Sequence, residues 1–310
     1  MIRVLMLDLV DTLIKSDTVL PHVPEALDTM SSFKTTSGEP LAMCLISDFL
    51  MPTPPPTQEK IEAIFQDFLL ILDRFNLRGF FKPVSERITL STHAGVFKPD
   101  KKLFETAIRR LGVGVQHVEP LLKECLFIAE NPVHISECKK LGMSTLQFGG
   151  TGSEGVDFSN WSEAPLLIAK LVAPDSNVNM KLALELYLAD IHNINLVSLE
   201  EPTKSKDTIH ARAKALYPIS DPKLGELDGV HVELPIDVVI QLNERGQVKS
   251  VQIGQPSSEY ISGVKSFLQS LLVNQQVSLT QGKPSPRATH HVEVDSKGRR
   301  VLIRKRFLAV

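Results

Sequence analysis

Four polar residues close or follow apolar runs along this chain: Asp8, Ser47, Lys98 and Glu130. Short apolar runs alternating with helical periods predict a parallel sheet with helices on its faces. In such a sheet, ligands sit beyond the carboxyl ends of the strands, so the four side chains are expected to share one crevice. A carboxylate there can act as a nucleophile or hold a hard cation, and a hydroxyl and an ammonium can hold the oxygens of an anion.

The elements that must position these residues are legible nearby. Apolar runs at 2–7, 41–46, 125–129 and 144–148 predict strands, and a shorter run predicts another at 88–91. Helical spacing falls at 24–31, 57–75 and 135–141. Another helix begins with Pro99 and Asp100, puts Leu103, Phe104, Ala107, Ile108 and Leu111 on one stripe, and stops at Gly112. The Pro-rich stretch 51–57 suits neither kind of element and is expected as a stiff loop.

This ordered set resembles the haloacid dehalogenase (HAD) superfamily of aspartate-nucleophile hydrolases over residues 1–172. The family's first motif is Asp-x-Asp-Gly-Thr-Leu, and the chain reads Asp8-Leu9-Val10-Asp11-Thr12-Leu13. The second, an apolar strand ending in Ser or Thr, is matched by Leu45-Ile46-Ser47. The third is a Lys at a helix start, matched by Lys98 in Gly95-Val96-Phe97-Lys98-Pro99. The fourth is Gly-Asp followed four residues on by Asp, and the same register gives Ala129-Glu130 and His134.

The resemblance implies roles. Asp8 would be the nucleophile that forms an aspartyl-phosphate, and Ser47 and Lys98 would bind the phosphoryl oxygens. Mg²⁺ would be held by Asp8, the backbone carbonyl of Val10 and Glu130. Three departures alter the picture. Val10 stands where the phosphatase branches carry a second aspartate for proton transfer, help worth about 10²–10⁴ in rate. Asp11 comes one residue late and is expected to point elsewhere. Glu130 is one methylene too long for the strict octahedral geometry of Mg²⁺, and His134 is a poor substitute for a carboxylate on that ion. The resemblance therefore implies a phosphatase-related pseudoenzyme, impaired in hydrolysis, that binds a phosphoryl group or partner. The alternative is an atypical Mg-dependent phosphohydrolase acting through Asp8. The dehalogenase branch does without the second aspartate but relies on a helical cap, and the stretch between Thr12 and Ile46 is too short for one.

An open site implies a phosphorylated small molecule or phosphoprotein as ligand, or a cover supplied by the C-terminal part or by a second copy in a homo-oligomer. Taken singly, the residues are ordinary. Asp8 and Ser47 would pass for caps, Lys98 for a solvated loop lysine, and His93 and His134 for satisfied or exposed imidazoles. Their order along the chain carries the reading.

Composition bounds the rest. The 310 residues suggest two domains, and 43% hydrophobic content is ample for two cores. Lys and Arg number 34 against 36 Asp and Glu, a net charge of -2 that offers no general attraction for nucleic acid or anionic membrane. No apolar run approaches the roughly 20 residues a membrane-spanning helix needs. Cys44, Cys125 and Cys138 lack metal spacing and read as reduced core residues of a cytoplasmic protein.

The stretch 174–177 reads as a linker, with domains expected at 1–172 and 173–310. The second is expected to be a smaller α+β domain with an antiparallel sheet. It would be built from hairpins at 236–242 with 248–253 and at 289–294 with 299–307, and from a helix at 258–272. Lys297, Arg299, Arg300, Arg304, Lys305 and Arg306 are expected to guard an exposed edge strand rather than to bind nucleic acid.

Overall fold

The computed structural model describes residues 1–53, 56–112, 121–149, 155–192, 196–200, 202–205, 207–243, 248–279, 287–295 and 298–305. The chain divides into two units, Met1–Ile191 with Leu242–Val248, and His192–Gln241 with Lys249–Val310.

The first unit is built on five parallel strands: β1 (Val4–Leu7), β2 (Ala42–Ser47), β3 (Ile88–Leu90), β4 (Cys125–Ala129) and β5 (Ser144–Gln147), in the order β3-β2-β1-β4-β5. Leu7 lies level with Leu45 on one side and Ile128 on the other. The order reverses between β1 and β4, and an open sheet takes ligands beyond the carboxyl ends at such a reversal. Every residue of β1 and β4 is buried, as expected of parallel strands covered on both faces.

The longer helices of this unit, among the described residues, are α1 (Val23–Ser31), α2 (Gln58–Arg74), α3 (Lys101–Arg110), α4 (Pro132–Lys140), α5 (Ala164–Val172) and α6 (Asn177–His192). Asp100 caps α3 by accepting from the Lys102 amide, so the helix starts where the sequence predicts. Its stripe Leu103, Phe104, Ala107 and Ile108 packs with Val4, Met6, Cys44 and Phe127 from the sheet and Ile135 and Cys138 from α4. Phe104 meets Phe127 edge-on at 5.2 Å between centroids. Burying a side chain of that size contributes about 1.5–3 kcal/mol. All three cysteines are buried and free.

The unit extends past the expected boundary at 172. Ser176 and Asn177, taken as linker, instead lead into α6, because Ser and Asn are helix-start residues as well as loop residues. Asn179 is fully buried, its Oδ1 accepting from the Lys34 amide at 3.0 Å and its Nδ2 donating to the Lys34 carbonyl at 2.7 Å. Met180, Ala183, Leu184, Tyr187 and Leu188 of the same helix are buried.

The second unit contains β6 (Leu196–Leu199), β7 (Thr208–Ile219), β8 (Val230–Leu242), β9 (Val248–Ile253), helix α7 (Ser258–Val273), β10 (Val277–Ser278), β11 (His290–Val294) and β12 (Arg300–Arg304). Strand β7 runs antiparallel to β8 from Thr208 opposite Gln241 to Ile219 opposite Val230. Leu268 and Leu271 of α7 pack on Ile219, Leu224, Leu227, Val230, Val232 and Leu234.

The expected hairpin partners do pair, β9 with β8 and β11 with β12. Turn residues 244–246, 296 and 297 lie outside the described residues, as do 150–152, Arg306 and Phe307.

The antiparallel expectation is corrected, because this sheet is mixed. Strand β12 pairs with β8 in parallel, and β10 pairs with β11 in parallel. Hairpin signals specify a strand's local partner and carry no information on what the finished hairpin docks against. The edge-guard reading of the basic cluster falls for the same reason, since β12 lies between β11 and β8. Arg299 pairs with Asp295 at 2.6 Å, and Arg300 donates to the Glu226 carbonyl. Among the described residues, no helix of either unit is long and apolar enough to cross a membrane.

Candidate functional site

The site is built on the end of β1. The Asp8 amide donates to the Ile128 carbonyl at 3.0 Å, so the sheet ladder itself carries Asp8 to the crevice. Its Oδ1 accepts from the Leu9 amide at 2.7 Å. The same oxygen receives the Lys98 ammonium in an ion pair, and both side chains are buried.

Lys98 reaches this position through two local devices. Gly95, at φ 71, caps the single helical turn Ser91–Ala94 in the left-handed region and redirects the chain. The Lys98 amide then donates to Asp48 Oδ1 at 3.0 Å, tying its loop to the one after β2. Ser91 adds a second tie, exchanging hydrogen bonds with the amide and carbonyl of Phe49 at 3.0 Å each.

Ser47 ends β2 and is buried. In the observed register it stands one step beyond Asp8 on the neighbouring strand. Its hydroxyl donates to the Asp48 carbonyl at 3.5 Å and, among the described residues, makes no hydrogen bond to Asp8 or Lys98. Asp8 and Lys98 are thus in direct contact, whereas Ser47 is adjacent without a hydrogen bond to either among the described residues.

Glu130 follows β4 and is partly buried. Its amide donates to Thr12 Oγ1 at 3.1 Å, and its carbonyl accepts from Gln147 Nε2 at 3.3 Å. Trp161 Nε1 donates to the Thr12 carbonyl at 2.8 Å. Burial raises the Glu130 carboxyl pKa, Asp11 and Asp8 raise it further, and Lys98 opposes them. Asp11 is exposed, with φ 55.

Val10 stands two residues past Asp8 with its side chain 54% exposed. His134, in the first turns of α4, has its pKa lowered by burial and by Lys98, against the pull of Asp8 and Asp48. Its Nδ1 is buried without a hydrogen-bond partner among the described residues.

Thr12, Asp48 and Trp161 belong to the site's support, and the sequence reading had not singled out their roles. Thr12 lies four residues past Asp8, within sight of the sequence, but the Trp161 bond spans 149 positions and follows no spacing rule.

Among the described residues, no group of three or more His, Cys, Asp and Glu side chains is arranged to hold a metal. Two acids are present, Asp8 and Glu130, and Mg²⁺ is commonly held by one or two carboxylates with phosphate oxygens and water. Both are oxygen donors of the kind Mg²⁺ accepts. An ammonium has three donors, and those of Lys98 not engaged with Asp8 can turn toward an anion.

No protein family and no curated protein matches this chain. Among solved structures it is similar to an uncharacterized protein from Corynebacterium glutamicum ATCC 13032 Kitasato, at a TM-score of 0.30 and 13% identity. That alignment covers 48% of this chain and 86% of the other.

Proposed function

We propose that the first unit is a phosphoryl-binding domain of haloacid dehalogenase type, impaired in hydrolysis, and that it holds a phosphorylated small molecule or phosphoprotein. The observation that carries this reading is the buried Lys98–Asp8 pair at the end of the central strand, beside a valine at position 10. Lys98 and Ser47 would meet the non-bridging phosphoryl oxygens, and Asp8 would face phosphorus. An isopropyl group at position 10 can neither protonate a leaving group nor activate water. Asp8, the Val10 carbonyl and Glu130 would hold Mg²⁺, which would neutralise phosphoryl charge when bound. The buried, free thiols support a reducing, cytoplasmic setting.

The test is turnover on a broad panel of phosphomonoesters with Mg²⁺, beside binding of inorganic phosphate. The expected result is phosphate binding without turnover. A turnover that disappears in Asp8→Asn would defeat the impaired reading and favour the second one.

That second reading is an atypical Mg-dependent phosphohydrolase that forms an aspartyl-phosphate at Asp8. It draws on His134, whose Nδ1 is buried without a hydrogen-bond partner among the described residues and which would serve as the proton acceptor that position 10 lacks.

A further inference from the structure

Asp8, Ser47 and Lys98 would meet the phosphoryl group, and the central sheet fixes the first two. Asp8 is carried by the ladder bond from its amide to the Ile128 carbonyl, and Ser47 is the last residue of β2. Lys98 has no such support. It lies in a turn past the end of β3, after the helical turn Ser91–Ala94 and the left-handed Gly95. An ammonium on a four-carbon stem is a flexible point charge, so where it sits depends on what holds the backbone beneath it.

One side chain holds that backbone. The Lys98 amide donates to Asp48 Oδ1 at 3.0 Å and has no other partner among the described residues. The far end of the residue is fixed on Asp8 by the ion pair. Asp48 also follows Ser47 directly, and its carbonyl accepts from the Ser47 hydroxyl at 3.5 Å. It therefore meets both groups that would hold the phosphoryl oxygens, Ser47 through its carbonyl and Lys98 through its carboxylate. The two bonds between Ser91 and Phe49 join the same segments without bearing on either group. What Asp48 adds is the placement of Lys98 itself.

We propose that Asp48 is a positioning residue for phosphoryl binding: its carboxylate fixes the Lys98 backbone so that the ammonium and the Ser47 hydroxyl meet one phosphoryl group together. A group ordered before its ligand arrives costs less to order on binding, which is how the contact would gain affinity. The role belongs to an acceptor oxygen at that point and not to its negative charge, which repels an anion. This rests on the phosphoryl-binding reading above and adds the residue that sets the spacing of its two donors.

Calorimetry with inorganic phosphate on the full chain tests it, with urea unfolding of each variant to establish that it is folded. Asp48→Asn keeps an acceptor oxygen at the same reach and removes the charge, and it is expected to bind phosphate at least as tightly as the parent. Asp48→Ala removes the acceptor and is expected to bind about tenfold more weakly, the scale of one hydrogen bond to a charged group. Should Asp48→Ala fail to fold, Asp48→Glu takes its place: it keeps the charge, sets the acceptor one methylene further out and is expected to weaken binding in the same direction. Parent-like affinity in the Ala variant, or in the Glu variant where that replaces it, would overturn this inference. An Asn variant as weak as the Ala or Glu variant would also overturn it, since the charge and not the acceptor would then be at work. Both outcomes leave the parent binding phosphate. Failure of the parent to bind inorganic phosphate would overturn the phosphoryl-binding reading, and this inference with it.

Discussion

The ammonium of Lys98 and the carboxylate of Asp8, 90 positions apart in the chain, meet in an ion pair with side-chain exposures of only 4% and 7%. Removing one partner of such a pair leaves a buried charge uncompensated, at about 3–5 kcal/mol. Lys98→Met is therefore expected to lower the unfolding free energy by about that amount in urea titrations. Pairing it with Asp8→Asn should recover much of the loss, because the two changes are coupled. A single-variant loss within about 0.5 kcal/mol, the scale of ordinary surface changes, would show that water already reaches the pair.

Val10→Asp tests whether a proton carrier is the missing component. The side chain is half-exposed, so the substitution has room and little packing to lose. On the phosphohydrolase reading, turnover of phosphomonoesters with Mg²⁺ is expected to rise by about 10²–10⁴ over the starting chain. No gain in a folded variant would mean that Glu130 or His134 also blocks the reaction.

Thr12 supports Glu130 through its hydroxyl and is itself held by Trp161. Thr12→Val keeps the volume but leaves the Glu130 amide without its acceptor, at about 1–3 kcal/mol. Trp161→Phe leaves the Thr12 carbonyl without its donor and also loses packing against Phe148 and Phe158. Both are expected to destabilise the fold in chemical denaturation. Thr12→Ser, which retains the hydroxyl, should stay closer to the parent.

His93 gives the fold a definite acid response. Burial and the nearby Arg110 push its pKa from 6.5 to about 4, and its Nδ1 accepts from the Leu90 amide at 2.9 Å. Between those values the unfolded chain binds more protons than the folded one, so stability falls as pH drops from 6.5 toward 4. Glu130 and Glu163, whose pKa values burial raises, act with the opposite sign. The difference between parent and His93→Gln across this window isolates the imidazole, and the variant is expected to show the flatter profile. An unchanged slope would remove His93 as its source.

Much of the first unit was legible because its signals are local. Asp100 ahead of the Leu103–Phe104–Ala107–Ile108 stripe marks a helix by cap and period together, and both are realised. The ends of β1, β2 and β4 were visible as apolar runs closed by Asp8, Ser47 and Glu130. What escaped depends on distant partners. Asn179 reads as a loop residue until Lys34 is beside it, and Trp161 has no visible role until it meets the Thr12 carbonyl. The direction in which β12 docks on β8 is likewise set by the tertiary fold rather than by turn chemistry.

The Asn179 clamp also determines where the polypeptide can be divided. A fragment stopping at 172 would strip Lys34 of both backbone partners and remove the buried side chains of Met180, Leu184 and Leu188. Anyone expressing the halves separately should put the seam beyond His192, after the helix that Pro174, Asn177 and Asn179 make look dispensable.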